Sequence, residues 1–164
     1  MDAGRPKLDS DHIVELMRRW ILAIILLGVA GTVIELVLLE HYEEPLQYVP
    51  LVLLGASIVI GAWLVWGYGA ASLRAMQILM ALFVLAGFAG FVAHFVGSAE
   101  YQLELDPDMS TWDMLEKISH AKAPPLLAPG MMLQLGLLGL AYVYTDPSYR
   151  AGALRLFRFM LPKE

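Results

Sequence analysis

Four segments of the chain, each about twenty residues long, contain almost no charged side chains. They cover residues 20–39, 48–67, 75–97 and 125–144, and their one carboxylate is Glu35 in the first segment. A helix rising about 1.5 Å per residue needs roughly 20 residues to cross about 30 Å of hydrocarbon. Because a bilayer offers no water to satisfy open sheet edges, such segments favour helices. The sequence therefore predicts an all-α integral membrane protein, an up-down bundle of four transmembrane helices.

The composition agrees with a membrane protein. Charged residues make up only 16% of the chain, against about a quarter in soluble domains, and the mean hydropathy is +0.63. We expect one membrane domain over residues 1–164, with an outer loop at 98–124 and a tail at 145–164. The lack of cysteine excludes disulfides, thiolate metal sites and cysteine nucleophiles. The net charge of −5 does not indicate a nucleic-acid partner.

The distribution of basic residues predicts the orientation. Of the 11 Lys and Arg residues, only Lys117 and Lys122 fall between the first and second or the third and fourth spans. The other nine lie on the opposite side: Arg5, Lys7, Arg18, Arg19, Arg74, Arg150, Arg155, Arg158 and Lys163. Cytoplasmic loops carry an excess of Lys and Arg. We therefore expect both termini in the cytoplasm and the chain in a bacterial inner membrane.

Two segments outside the spans are predicted to form short amphipathic interfacial helices. Ser110 and Asp113 have the spacing of a capping box, which predicts a helix from Ser110 to about Ala121 on the outer leaflet. Asp146 followed by Pro147 is typical of a helix start. The tail beyond it combines apolar and arginine side chains at helical spacing, which predicts a helix on the inner leaflet. It serves either as an anchor or as a docking surface.

Three polar residues within the spans are candidate ligand- or ion-binding residues. Glu35 is a carboxylate about 24 Å beyond Arg19 along the first helix. His94 and Gln134 lie at a similar depth on the third and fourth spans. Ionisable groups inside a membrane normally face protein or a water-filled cavity. We therefore expect Glu35 to point into the bundle and to come within hydrogen-bond reach of His94, directly or through one water.

Histidines near the outer side raise the alternative of a metal site. The candidate ligands are His41, His94, His120 and Glu40, a set that suits zinc or copper, and Met131 and Met132 could favour Cu(I). A haem pair between His94 and His41 or His120 is a further alternative. However, no spacing matches an established ligand motif. We therefore predict no bound cofactor.

Three classes of function remain open from the sequence. Because no catalytic, nucleotide-binding or metal motif is present, the sequence favours a non-catalytic accessory or structural subunit of a membrane complex, associated with a protein partner or with further copies. The alternative is an ion- or small-molecule-binding or transport protein that uses Glu35 and His94. The third is a redox component that handles a metal or a quinone. No motif indicates an enzyme.

Overall fold

A computed structural model describes residues 10–40, 42–43, 45–120 and 127–149. Within these ranges, four helices are long and apolar enough to cross a membrane, as the sequence predicts. The helices are α1 (Ser10–Leu38), α2 (Tyr48–Trp66), α3 (Ala70–Leu105), the short α4 (Thr111–Ser119) and α5 (Leu127–Tyr144). A 3-10 turn, Pro45–Gln47, precedes α2.

Two of the helices extend beyond the predicted spans. Helix α1 already includes Ser10, the first described residue, because residues 10–19 contain no glycine or proline to interrupt it. Helix α3 continues through residues 98–105, which the sequence assigned to the outer loop. It ends at Asp106, where Pro107 disfavours the helical conformation of the residue before it. With 36 residues, α3 is about 54 Å long, so it is longer than a hydrocarbon layer of about 30 Å is thick.

Helices α3 and α5 form the closest contact, and glycine makes it possible. A Cβ atom on Gly136 would lie 2.8 Å from the Met80 carbonyl oxygen and 2.9 Å from the Val84 amide nitrogen. A Cβ on Gly87 would lie 2.9 Å from the Leu133 amide nitrogen, again a backbone atom. Small residues allow helix backbones to approach closely in membranes. The glycines therefore set the distance between α3 and α5.

The buried core runs along the contact of α1, α2, α3 and α5. Its fully buried side chains include Leu54, Met80, Phe83 and Val143. Large apolar side chains also cover the outside of the long helices, with Leu27 75% and Val59 69% exposed. Exposed apolar surface on this scale is what a bilayer would cover.

Helix α4 begins as the sequence predicts. The Ser110 hydroxyl accepts a hydrogen bond from the Asp113 amide (3.2 Å) and donates one to the Asp113 carboxylate (2.7 Å). Helix α4 packs on α3 and buries Ile118, while Trp112 stays 75% exposed. The predicted tail helix falls largely outside the described residues, although its first residues, 147–149, are helical.

Candidate functional site

All four long helices contribute to one cavity of about 350 Å³ near the start of α5. Its lining is mostly apolar. The residues that line it are Thr32 and Leu36 on α1; Leu46 and Gln47 in the 3-10 turn; Val49 and Pro50 at the start of α2; Ala86, Ala89, Gly90, Ala93 and His94 on α3; and Ala128, Pro129 and Met132 on α5. We call this the cavity end of the bundle.

The space arises because small side chains line α3 where α5 begins. Ala86, Gly90 and His94 follow one another at four-residue spacing, so they lie on one face of the helix. Pro129 approaches Gly90, where an added Cβ would lie 3.4 Å from the proline ring. Larger side chains at these positions would occupy the cavity. The combination of small residues on α3 and a proline on α5 therefore leaves the volume open.

Among the residues that the structure describes, three polar side chains line the cavity: Thr32, Gln47 and His94. The Thr32 hydroxyl donates a hydrogen bond to the Gly28 carbonyl oxygen (2.8 Å), so its proton is already bonded within α1. The Gln47 side-chain oxygen accepts from the Glu43 amide nitrogen (2.8 Å). His94 is half-buried. The cavity thus combines a largely apolar wall with a few polar groups, which is the usual make-up of a small-molecule site.

Glu35 lies beside the cavity but does not line it. The neighbouring Thr32 and Leu36 are both buried and both line it. At 3.6 residues per turn, Glu35 projects about 80° around α1 from that pair, at the edge of the buried face, and its side chain is half-buried. The expected approach of Glu35 to His94 stays a prediction.

Gln134 lies apart from His94. On α5 it follows Met132 by two residues, which turns it about 200° away from the cavity face. It is exposed and belongs to a separate, shallow groove with Leu133 and Leu137. Of the three polar residues that the sequence placed at a similar depth, His94 lines the cavity, and Glu35 and Gln134 do not.

The proposed metal ligands are only partly described. His41 lies outside the described residues. His120 is exposed and follows α4, with its Nδ1 atom 3.0 Å from the Glu116 carbonyl oxygen. Glu40 is exposed and ends α1 with a positive φ of 52°. Among the residues that the structure describes, no group of three or more His, Asp or Glu could hold a metal ion.

A second polar cluster lies at the other end of the helices. Arg18 and Asp146 form a buried ion pair of 2.7 Å, with side-chain exposures of 6% and 1%. Arg18 also donates to the Tyr142 carbonyl oxygen (2.7 Å), and its guanidinium lies 4.3 Å from the centre of the Tyr142 ring. Tyr68, after α2, donates its hydroxyl proton to Asp146. We call this cluster the clamp, and this end of the bundle the clamp end.

The clamp joins three parts of the chain that are far apart in sequence: the start of α1, the turn between α2 and α3, and the end of α5. Asp146 also accepts hydrogen bonds from the Ser148 amide (2.8 Å) and the Tyr149 amide (3.3 Å), so it caps the helical turn after it. The sequence predicted that Asp146 caps a helix and placed Arg18 among the basic residues on the cytoplasmic side. The sequence did not indicate that Arg18 and Asp146, which are 128 positions apart, form an ion pair.

The cavity and the clamp thus occupy opposite ends of the described helices. Between the cavity and the clamp lies a part of the core in which Met80 and Phe83 are fully buried. No protein-family model, curated protein or solved structure matches the chain.

Proposed function

We propose that this chain is a membrane protein that binds a small, largely apolar molecule between its four long helices. The observation that supports this proposal is the cavity of about 350 Å³ to which all four helices contribute. Small-molecule sites typically measure about 300–1,000 Å³ and have mostly apolar linings with a few polar groups. The cavity has both properties. Binding of this kind needs no catalytic residue.

The proposed placement in the membrane follows from charge. In the sequence, nine of the 11 Lys and Arg residues precede the first span, join the second to the third or follow the fourth, so we assign them to the clamp end and place this end in the cytoplasm together with both termini. The cavity then lies in the outer half of the hydrocarbon, in what we propose is a bacterial inner membrane. The four helices form an up-down bundle in this arrangement.

Binding is favoured over passage through the bundle. The core between the cavity and the clamp is closed by Met80, Phe83 and Leu135, each at most 2% exposed. At the far end lies the buried ion pair of Arg18 with Asp146. A transport function using Glu35 and His94 would require these layers to separate. That alternative, and the metal- or quinone-handling one, remain predictions.

Filling the cavity tests the proposal. Ala93→Leu places a larger side chain in the cavity wall, and overpacking against a bound molecule typically costs about 1–3 kcal/mol. This corresponds to an affinity that is roughly fivefold to 150-fold weaker, so we expect the fraction of protein that carries a bound small molecule to fall. Native mass spectrometry of protein purified in a mild detergent measures this fraction directly.

The matched control is Ala81→Leu, an exposed alanine on the same helix that does not line the cavity. It should keep the occupancy of the unmodified chain. Equal occupancy in Ala93→Leu and Ala81→Leu would contradict the proposal. So would an unmodified chain that carries no bound molecule even after a membrane lipid extract is added back.

A second candidate is the accessory subunit, and the protruding end of α3 favours it. Leu105 lies about 16 Å beyond His94 along the helix, and α4 folds back on this extension. We call residues 98–120 the acidic hairpin. It carries six acidic side chains and one lysine: Glu100, Glu104, Asp106, Asp108, Asp113, Glu116 and Lys117. A partner with a basic surface and an apolar pocket for Trp112 would complement it.

Trp112→Ala tests this candidate. Exposed tryptophans that anchor an interface often contribute 2 kcal/mol or more, so we expect at least tenfold weaker retention of a stoichiometric partner. Trp66→Ala, an equally exposed tryptophan at the clamp end, should leave retention unchanged. Equal retention by both variants would exclude the hairpin as the docking surface.

A single cysteine at position 108 of this cysteine-free chain should react with an impermeant maleimide from outside; labelling only from inside would reverse the proposed orientation.

A further inference from the structure

We infer that the outward face of α5 binds a second copy of this chain, and that the Gln134 side chains of the two copies hydrogen-bond to each other. The contact lies on the side of α5 that faces away from the cavity, so the inference goes beyond the proposed binding function and does not depend on it. Three observations carry it: the polarity of Gln134, its depth along the helix and the residues that share its face.

Gln134 is an exception on the outer surface of the long helices. Within the described segments 20–38, 48–66, 75–97 and 127–144, it is the single exposed side chain that is neither apolar nor aromatic. The other polar side chains of these segments are buried or half-buried; they are Thr32, Glu35, Ser57, Gln77 and His94. Gln134 therefore interrupts the apolar surface that a bilayer would cover.

The position of Gln134 along α5 keeps its amide away from water. It follows Leu127 by seven residues and precedes Tyr144 by ten, so it lies about 10 Å from the nearer end of the helix. Long basic side chains near helix ends can reach the membrane surface, but Gln134 is shorter and lies farther in. Among the residues that the structure describes, none forms a hydrogen bond with its side chain. An amide without a partner is costly in hydrocarbon, which favours a neighbour that supplies hydrogen-bonding groups.

The exposed residues of α5 form one seam along the helix. They are Leu127, Gly130, Gln134, Leu137, Ala141 and Tyr144. Their spacings alternate between three and four residues, as they do where two helices pack along their length in left-handed bundles. Gly130 and Ala141 are small, so a second helix can approach closely on either side of Gln134. The groove beside Gln134, between Leu133 and Leu138, offers space for a side chain of that helix.

A second copy of the chain fits this seam because it supplies a matching group at the matching depth. Copies that insert in the same orientation have parallel α5 helices, so a twofold axis along the membrane normal places identical residues opposite each other. A glutamine amide has both an acceptor oxygen and two N–H donors, so each Gln134 side chain can donate to the other. The seam carries no charged residue, so no like charges oppose the contact.

Cysteine cross-linking in membranes tests the contact in the full chain, which contains no cysteine of its own. Leu137→Cys places a thiol in the seam, about one turn from Gln134. Leu85→Cys is the matched control, because Leu85 is exposed on α3 and its neighbour Val84 lies against Gly136, at the depth of Leu137. A disulfide requires Cα atoms within about 7 Å. With a mild oxidant we therefore expect Leu137→Cys to form a covalent dimer and Leu85→Cys to stay monomeric.

Two variants at position 134 test the hydrogen bond itself. Gln134→Leu should weaken self-association about threefold to 30-fold, the usual range for interhelical hydrogen bonds in membranes, and Gln134→Asn, which keeps an amide, should retain most of it. Förster energy transfer between labelled chains, measured at increasing lipid dilution, gives the association constant. Equal association of Gln134→Leu and the unmodified chain overturns the inference, and so does equal cross-linking at positions 85 and 137. Loss of a different co-purifying protein in Gln134→Leu, without cross-linking at position 137, would show that a foreign helix covers the seam and would overturn it too.

Discussion

Asp146→Ala is expected to destabilise the protein by about 3–5 kcal/mol. The change leaves the Arg18 guanidinium buried, with 6% side-chain exposure, and without its counter-charge. Removing one partner of a buried pair typically has this cost, because the remaining charge cannot return to water. It also removes the acceptor for Tyr68 and for two backbone amides. The free energy of unfolding, measured by denaturant titration in mixed micelles, tests the prediction.

The neighbouring arginine provides a matched control. Arg19 pairs with Glu15 at 3.0 Å, but their side chains are 75% and 55% exposed. Exposed pairs contribute about 0–1 kcal/mol, so Glu15→Ala should change the unfolding free energy by less than about 1 kcal/mol. Replacing Arg18 and Asp146 together by methionine and leucine should cost less than Asp146→Ala, because no uncompensated charge remains. Equal effects of Asp146→Ala and Glu15→Ala would show that the clamp is not a buried pair.

Gly136→Ala should destabilise the contact of α3 with α5 by about 1–3 kcal/mol. The new Cβ would lie 2.8 Å from the Met80 carbonyl oxygen and 2.7 Å from a Val84 methyl carbon. The carbonyl belongs to the backbone of α3, so relief requires the two helices to separate. The same unfolding titration measures the loss, and circular dichroism reports whether the helices themselves persist.

Two other glycines of α5 make the comparison specific. Gly130→Ala meets no atom within 4 Å and should be neutral or slightly stabilising, since alanine favours the helix. Gly139→Ala would overlap the sulfur and Cγ of Met80, which is fully buried, so this change should also destabilise the protein. A loss at Gly130 equal to that at Gly136 would contradict this account, because the close contact with α3 would then not explain the effect.

The sequence was most informative where structure depends on local chemistry. Four long apolar segments predicted four helices of sufficient length, and each is found. The spacing of Ser110 and Asp113 predicted the start of α4, and the Ser110 cap is found there. The continuation of α3 through residues 98–105 was not predicted. Its charged residues suggested a loop, although alanine, glutamate and leucine favour helix and only Pro107 ends it.

The site was harder to predict, because it depends on how the helices face one another. Counting residues along each span places Glu35, His94 and Gln134 at similar depths. It does not show that Gln134 turns away from the cavity or that Glu35 stops at its edge. In the sequence, small residues such as Ala89 and Ala93 do not differ from the other apolar residues of a membrane span. Their role as cavity walls depends on Pro129 of α5, some forty residues later.

The clamp could not be predicted for the same reason: its ion pair depends on which helices meet. Arg18 was assigned to the cytoplasmic charge and Asp146 to a helix cap. Both assignments use local pattern, while the ion pair depends on α1 and α5 meeting at one end of the bundle. The glycines at 28 and 136 bring these helices and α3 together. The clamp thus fixes one end of the bundle by charge, and the cavity occupies the end where small side chains leave space.

A crystal structure grown from a monoacylglycerol mesophase tests the central claim most directly. The host lipid has an apolar chain and is present in excess, so the crystal supplies a molecule of which part can enter the cavity. The account predicts non-protein electron density inside the cavity, between Ala89 of α3 and Met132 of α5. Side chains that close this space, with lipid density only on outward-facing residues such as Leu85 and Val92, would contradict it.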